Sequence, residues 1–110
     1  MALMNLEETK QYLRVDSDYE DALIERLLLS ATKLCIDVAR LTDTEWQGIN
    51  SDAETLENYT QNELAQVRSI MKYAISYTVC YMYEHREEAD HHALTLTLRS
   101  VLGAIREDRY

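Results

Sequence analysis

Apolar residues recur at intervals of three and four positions along two long segments of the chain. In the first segment, from Ser17 to about Leu41, they are Ile24, Leu27, Leu28, Ala31, Leu34, Cys35, Val38 and Leu41. In the second, from Thr60 to about Glu88, the positions with this spacing are apolar or aromatic except for Thr78; they are Leu64, Val67, Ile70, Met71, Ala74, Ile75, Thr78, Tyr81 and Met82. This spacing lines up the apolar side chains on one side of an α-helix, so it predicts two long amphipathic helices.

Three positions carry the capping-box pattern, in which a short polar side chain precedes a glutamate by three residues. The pairs are Asn5 with Glu8, Ser17 with Glu20, and Thr60 with Glu63. In such a pair, each side chain can accept a hydrogen bond from the free backbone N–H group of the other residue. The pattern therefore marks the start of a helix. The first pair predicts a short helix that ends near Leu13, and the other two predict the starts of the long helices.

The polar segment 42–59 is predicted to be a connection with one or two helical turns. Gly48 could end one turn, and Ser51 with Glu54 could cap another. Four apolar side chains are expected to anchor the connection to the bundle: Trp46, Ile49, Leu56 and Tyr59. Trp46 could instead contact a partner protein, because tryptophan is common at interfaces as well as in cores.

The C-terminal segment allows two interpretations. Leu94, Leu96 and Leu98 alternate with threonine, which is typical of a short strand. A helical stripe also fits, and we favour a short helix from about Thr97 that follows a corner at 88–95; the stripe comprises Leu94, Leu98, Val101, Leu102 and Ile105. The expected fold is therefore all-α: one domain over residues 1–110, forming a small bundle of two long amphipathic helices with short N-terminal and C-terminal helices.

Composition and charge narrow the possible functions. The 110 residues suit one domain, and 46% hydrophobic residues can form a core. Eleven basic against twenty acidic residues give a net charge of −9, which argues against non-specific binding of nucleic acid. We expect no secretory signal and no membrane span, and we expect Cys35 and Cys80 to be reduced core thiols. The predicted protein is soluble and cytosolic.

Candidate catalytic groups are few. The segment Glu84–His92 contains three histidines, and Glu88 with His91 matches half of a di-iron helix motif, but the remaining ligands are missing. The acid pairs formed by Asp16, Asp18 and Asp21 could bind calcium or act as paired carboxylates, although placement at a helix start explains them. We therefore predict no metal, no cofactor and no enzyme activity.

Four tyrosines crowd the second half of the second long helix, at positions 73, 77, 81 and 83. A tyrosine buries a large ring but keeps a hydroxyl that needs a hydrogen-bond partner. This combination suits the margin of a core, and it equally suits a surface between subunits. The sequence leaves both interpretations open.

Three stretches, taken in order, cover nearly the whole chain and carry a family resemblance. The first is Leu6–Asp16 with Asp21–Ile24 and Leu28–Thr32, the second is Tyr81–Glu87, and the third is Leu98–Arg106. Together they resemble the head–tail connector proteins of long-tailed bacteriophages, also called adaptor or DNA-packaging proteins. The second stretch is similar to the family's hydrophobic helix that ends in Tyr-Glu-x-Arg-Glu, and the third is similar to its closing leucine-rich segment.

The resemblance implies a structural subunit of the virion. About a dozen copies would form a ring below the portal protein, extend the DNA channel without specific DNA binding, and join the head to a stopper or tail-completion protein. The implied portal-docking residues are Leu98, Val101, Leu102, Ile105, Arg106 and Arg109. The implied subunit–subunit residues are Tyr83, Glu84, Arg86 and Glu87. From the acidic composition alone, an alternative is a small regulatory helix bundle, similar to an antitoxin or inhibitor, that masks a basic partner protein.

Overall fold

A computed structural model of the chain describes residues 3–85 and 92–107. Within these residues it contains no β-strand, and its five helices are α1 (Leu6–Leu13), α2 (Asp21–Ala39), α3 (Asp43–Ile49), α4 (Gln61–Glu84) and α5 (His92–Glu107). The predicted all-α bundle with two long helices is confirmed. The C-terminal helix is longer than expected, since it begins at His92 rather than near Thr97 and includes the segment that alternates leucine and threonine.

Two of the three predicted helix starts are confirmed. Asn5 Oδ1 accepts a hydrogen bond from Glu8 N at 2.9 Å, and Thr60 and Glu63 form a complete capping box at the start of α4. A further box, between Thr42 and Glu45, opens α3 and was not predicted. These caps satisfy N–H groups that the first helical turn cannot pair internally.

The predicted capping box between Ser17 and Glu20 is wrong. Helix α2 begins at Asp21, and its N-cap residue Glu20 makes no side-chain cap hydrogen bond. The Glu20 carboxylate instead accepts a hydrogen bond of 2.6 Å from Tyr83 Oη on α4. The Glu20 carboxylate, which the local sequence assigns to the cap, therefore binds a residue 63 positions along the chain.

The ends of α1 and α2 use arginine in the left-handed backbone region. Arg14 has φ 61° and Arg40 has φ 57°, and each N–H returns to the carbonyl groups of the last turn. This conformation usually favours glycine, but the chain's two glycines lie inside helices instead. Consequently α2 ends at Ala39 and not near Leu41. Helix α4 also ends earlier than predicted, at Glu84 instead of about Glu88.

Helices α2, α4 and α5 enclose the core. The apolar stripes of α2 and α4 supply buried residues such as Ile24, Cys35, Met71 and Ile75. Helix α5 completes the core with four side chains that are at most 2% exposed: Leu94, Leu98, Leu102 and Ile105. The predicted apolar side of the C-terminal helix is therefore confirmed. It packs against α2 and α4 of the same chain.

The connection between α3 and α4 is irregular and is held by one arginine. Arg68 Nε lies 3.0 Å from the carbonyl oxygen of Ile49, and Nη2 lies 2.8–3.1 Å from those of Gly48, Ser51 and Ala53. A guanidinium presents several donors in one plane, so it can organise several turns of backbone at once. The cap that Ser51 and Glu54 were predicted to form is wrong. Ser51 Oγ donates to Gly48 O and accepts from Ala53 N, and no helix follows it.

Candidate interaction surfaces

One end of the molecule is strongly acidic. Residues 41–67 contain no lysine or arginine, and they carry six acidic residues: Asp43, Glu45, Asp52, Glu54, Glu57 and Glu63. This segment forms α3, the connection and the start of α4. The sequence alone shows a run of 27 residues without a basic side chain, so the charge of this surface could have been predicted. The shape of the surface could not, because it depends on the fold.

A groove of about 470 Å³ lies at this acidic end. The apolar part of its lining includes Leu56, Val67 and Ile105, and the acidic part comprises Glu45, Glu57 and Glu63. We call this feature the acidic groove. An apolar surface bordered by carboxylates can accept a partner group that combines an apolar side chain with positive charge.

The helix caps fix two of the three groove carboxylates. Glu45 Oε1 accepts a hydrogen bond from Thr42 N at 3.0 Å, and its Oε2 accepts one from Tyr59 Oη at 2.9 Å. Glu63 Oε1 accepts a hydrogen bond from Thr60 N, which holds the pKa of Glu63 below its usual range. Glu57 is exposed on the connection. The described lining of the groove therefore has two carboxylates that are held by hydrogen bonds and one exposed carboxylate.

The outer face of α2 carries exposed side chains of both charges, and Glu25 and Asp37 lie beside its basic residues. Arg26, Leu29 and Lys33 are all exposed, and the Leu29 side chain is 71% exposed. Their spacing of three and four residues places them on one side of the helix. We call these three residues the basic stripe. It presents an apolar side chain between two cations in a chain whose net charge is −9.

A third surface contains tyrosines from α1 and α4. Tyr12 is 49% exposed and Tyr73 is 59% exposed, and the ring centroids of Tyr73 and Tyr77 are 6.5 Å apart. Partial burial raises the pKa of Tyr12, with smaller contributions from Cys80 and Tyr73. By contrast, the ring of Tyr81 is half-buried and stacks on His85. The crowded tyrosines thus divide between the surface and the interior of the bundle.

The acids at the start of α2 also bind a lysine. As expected, Asp21 lies in the first turn of the helix, although no side chain caps that turn. Lys10 on α1 is buried, and its Nζ lies 2.9 Å from both Asp18 Oδ1 and Asp21 Oδ1. The hydrogen bond to Asp18 and the ion pair with Asp21 raise the pKa of Lys10, and Lys10 in turn lowers the pKa of Asp18. These contacts join α1 to the start of α2, so the acids have a structural explanation.

The predicted portal-docking residues fall into three groups. Leu98, Leu102 and Ile105 are buried in the core of the single chain, because α5 turns its apolar side towards α2 and α4. Val101 is half-buried. Arg109 and the side chain of Arg106 lie outside the described residues. Periodicity identified an apolar side of the helix, but it could not distinguish a covered side from a docking surface.

The predicted subunit–subunit residues also differ in their positions. Tyr83 is half-buried and donates its hydroxyl hydrogen bond to Glu20 of the same chain. Glu84 is exposed at the end of α4, where its Oε1 lies 3.7 Å from Cys80 Sγ. Arg86 and Glu87 lie outside the described residues. The structure therefore brings Glu84 to the surface and uses the hydroxyl of Tyr83 within the bundle.

The cysteines have different surroundings. Both are free thiols, and Cys35 is buried with its Sγ 3.5 Å from Thr78 Oγ1. Burial raises the pKa of Cys35 to about 11, so its thiol is not ionised at neutral pH. Cys80 is only half-buried, which corrects the prediction that it is a core residue. Its pKa is also raised, by burial and by Glu84.

Among residues 3–85 and 92–107, no three histidine, cysteine or acidic side chains lie together so that they could hold a metal ion. Glu88 and His91, the two residues of the half motif, lie outside the described residues. The described helices also include none that is long and apolar enough to cross a membrane.

Comparison with known proteins gives one match. Residues 3–108 match the sequence family described as phage gp6-like head-tail connector protein. This range covers almost the entire chain, including all five helices. Searches of curated proteins and of solved structures found no match.

Proposed function

The chain belongs to the phage gp6-like head-tail connector family, and from this premise we propose that about a dozen copies of it form a ring below the portal protein of a tailed phage. The ring extends the DNA channel and joins the head to a stopper or tail-completion protein. The family is one of structural connector proteins and not of enzymes. The match over residues 3–108 is the observation that carries the proposal.

The chemistry of the surfaces supports a ring. A closed ring of identical subunits needs two different contact surfaces on each copy, because every contact joins one surface to the other. The chain carries an acidic groove at one place and a basic stripe with an exposed leucine at another. Two different surfaces on one molecule are what a head-to-tail assembly requires.

The net charge supports passage of DNA without binding. A protein that binds DNA non-specifically does so by neutralising phosphates with lysine and arginine. This chain has twenty acidic and eleven basic residues, so its overall field repels a phosphate backbone. A channel subunit with this charge lets DNA slide through without holding it.

Portal docking is assigned to the C-terminal part of the chain, in line with the resemblance of Leu98–Arg106 to the family's closing segment. Because Leu98, Leu102 and Ile105 are in the core, a portal contact through these three side chains requires α5 to leave its place between α2 and α4. Val101, which is half-buried, can contribute without such a change. Exposed Glu84 remains a proposed subunit–subunit residue.

Electron microscopy of the full chain mixed with its portal protein tests the proposal. We expect ring-shaped particles on one face of the portal, and we expect the chain alone to dissociate to monomers on dilution in a sedimentation series. A dimer that persists at every concentration, or a chain that never binds the portal, would contradict the proposal. The subunit is expected in the host cytoplasm during assembly and in the virion afterwards.

A further inference from the structure

We propose that two free copies of the chain pair through the outer faces of their α2 helices, which run in opposite directions and cross each other at Leu29. The contact is formed by Glu25, Leu29 and Lys33, which follow one another at intervals of four residues, about one helical turn. We call these three residues the pairing face. The pair is a state of the free chain, so it does not depend on the proposed ring.

Leu29 supplies the apolar centre of the contact. Its side chain is 71% exposed, more than that of any other leucine among the described residues. It borders a groove of about 400 Å³ whose apolar lining includes Leu28 and Trp46, so the apolar surface extends beyond a single side chain. A second copy that covers Leu29 removes apolar surface from water, which favours association.

The charges on the two sides of Leu29 have opposite signs. Glu25 lies one turn before it and Lys33 one turn after it, and both side chains are exposed. Within residues 3–85 and 92–107, neither of these two side chains is in an ion pair. When two α2 helices cross in opposite directions at Leu29, Glu25 of each copy comes to the level of Lys33 of the other. The second copy therefore supplies a cation for the acid and an acid for the cation.

The charge pattern selects both the direction and the register of the pair. A crossing point one turn closer to the end of α2 places Lys33 against Lys33, and one turn closer to its start places Glu25 against Glu25. A parallel arrangement also places each charge at the level of the same charge in the other copy. Like charges that face each other cost free energy. Of these arrangements, only the antiparallel crossing at Leu29 combines an apolar centre with opposite charges.

The other charges on the outer side of α2 lie at the edge of this contact. Arg26 is on the flank of the helix, beside Glu25, and comes to the level of the uncharged Thr32 of the second copy. Asp37 is exposed and comes to the level of Asp21 of the second copy, which already binds a lysine of its own chain. Both of these acids lie eight residues from Leu29, about 12 Å along the helix, where crossed helices have diverged.

The pair is small, and it closes on itself. From Glu25 to Lys33 the contact spans about 12 Å, well below the extent of a stable interface, so we expect the pair to dissociate on dilution. Both copies use the same surface, which leaves none for a third copy. The pair also covers Leu29 and Lys33 of the basic stripe. Free copies are therefore kept from growing into larger assemblies through this stripe until they separate.

Sedimentation equilibrium of the full chain alone, over a concentration series, tests the pair. The charge variants are Glu25→Lys and Lys33→Glu, and their control is Arg99→Glu, which reverses a charge on the exposed side of α5. The apolar variant is Leu29→Ala, and its control is Leu96→Ala, which shortens a leucine that is 50% exposed on α5. Thermal unfolding followed by circular dichroism checks that every variant is folded.

We expect the unchanged chain to show a reversible equilibrium between one copy and two. Glu25→Lys and Lys33→Glu should each weaken pairing about tenfold or more, because opposite charges are replaced by like charges. An equimolar mixture of these two variants should restore pairing between unlike copies, since every charge of the pairing face then meets its opposite. The double variant Glu25→Lys/Lys33→Glu should pair like the unchanged chain for the same reason. Leu29→Ala should weaken pairing, and both controls should leave it unchanged.

Four other outcomes would overturn this pair. If the unchanged chain stays a single copy at every concentration, the contact does not form. If the charge variants pair as well as the unchanged chain, or if their mixture fails to pair, the helices do not meet in this register. If Leu29→Ala pairs normally but no longer binds the portal protein, the portal and not a second copy covers Leu29. The proposed ring is judged separately, by the unchanged chain mixed with the portal.

Discussion

Two irregular connections within the described residues, 14–20 and 50–60, are both rich in acid but differ in what their neighbouring cations bind. In the first, Lys10 contacts the carboxylates of Asp18 and Asp21 directly. In the second, Arg68 contacts only backbone carbonyl oxygens, and the acids of residues 41–67 have no basic neighbour within that segment. The cation at the first connection thus binds acidic side chains, whereas the cation at the second binds the backbone.

This difference indicates which acids are available to a partner. An acid that already binds a buried lysine gains little from a second cation, since its charge is compensated within the chain. An exposed acid such as Glu57, on the second connection, keeps its field directed outwards. The contrast between the connections therefore separates structural acids from candidate interaction acids more clearly than the overall charge does.

The largest effect is expected at the second connection. Arg68→Met removes the donors to four carbonyl oxygens and should lower the free energy of unfolding by about 2–3 kcal/mol, measured by urea denaturation. Arg99→Met on the exposed side of α5 is the control, with an expected loss within about 0.5 kcal/mol. Equal losses in the two variants would mean that Arg68 does not hold the connection.

A smaller effect is expected at the first connection. Tyr83→Phe removes the hydroxyl that donates to Glu20 at 2.6 Å, and it should cost about 1 kcal/mol because a half-buried hydrogen bond to a charged group is lost. Tyr73→Phe serves as the control, since Tyr73 is 59% exposed. We expect urea denaturation to detect almost no change in this control, and a loss as large as that of Tyr83→Phe would contradict the assignment.

The two capping-box patterns next to these connections provide a third comparison. Thr60→Ala removes a cap that the fold uses, and it should cost about 1 kcal/mol. Ser17→Ala changes a residue with the same sequence context but without a cap bond at α2, and the free energy of unfolding should change by less than about 0.5 kcal/mol. Urea denaturation measures both changes. Equal losses in the two variants would mean that the sequence pattern, and not the cap seen in the structure, determines the effect.

The smallest effect is expected from acid titration of the first connection. Lys10 lowers the pKa of Asp18, so this carboxylate stabilises the fold above its unfolded pKa of about 4, and the stabilisation is lost as the pH falls through the lowered value. In Asp18→Asn this contribution is absent. The urea midpoint of that variant should therefore change less with pH below about 4, and an unchanged pH dependence would show that the ion pair contributes nothing.

Local sequence predicted those features that depend on neighbouring residues. The spacing of apolar residues gave both long helices, and Thr60 with Glu63 gave the start of α4 correctly. Ser17 with Glu20 has the same local pattern, but Tyr83 binds the Glu20 carboxylate from 63 residues away. A contact between distant segments cannot be read from a window of four residues, and for this reason the second start was wrong.

The interaction surfaces were predictable only in part. The absence of lysine and arginine from residues 41–67 is visible in the sequence, whereas the groove depends on Ile105, Val67 and Leu56 meeting from three segments. Similarly, the spacing of Leu98, Leu102 and Ile105 predicts an apolar side of α5, and only the packing identifies α2 and α4 as its cover.

The position of α5 has a consequence for synthesis of the protein. The four core side chains of α5 lie at residues 94–105, and they pack against helices that are synthesised before them. The nascent chain therefore exposes the apolar sides of α2 and α4 until residues 94–105 have left the ribosome.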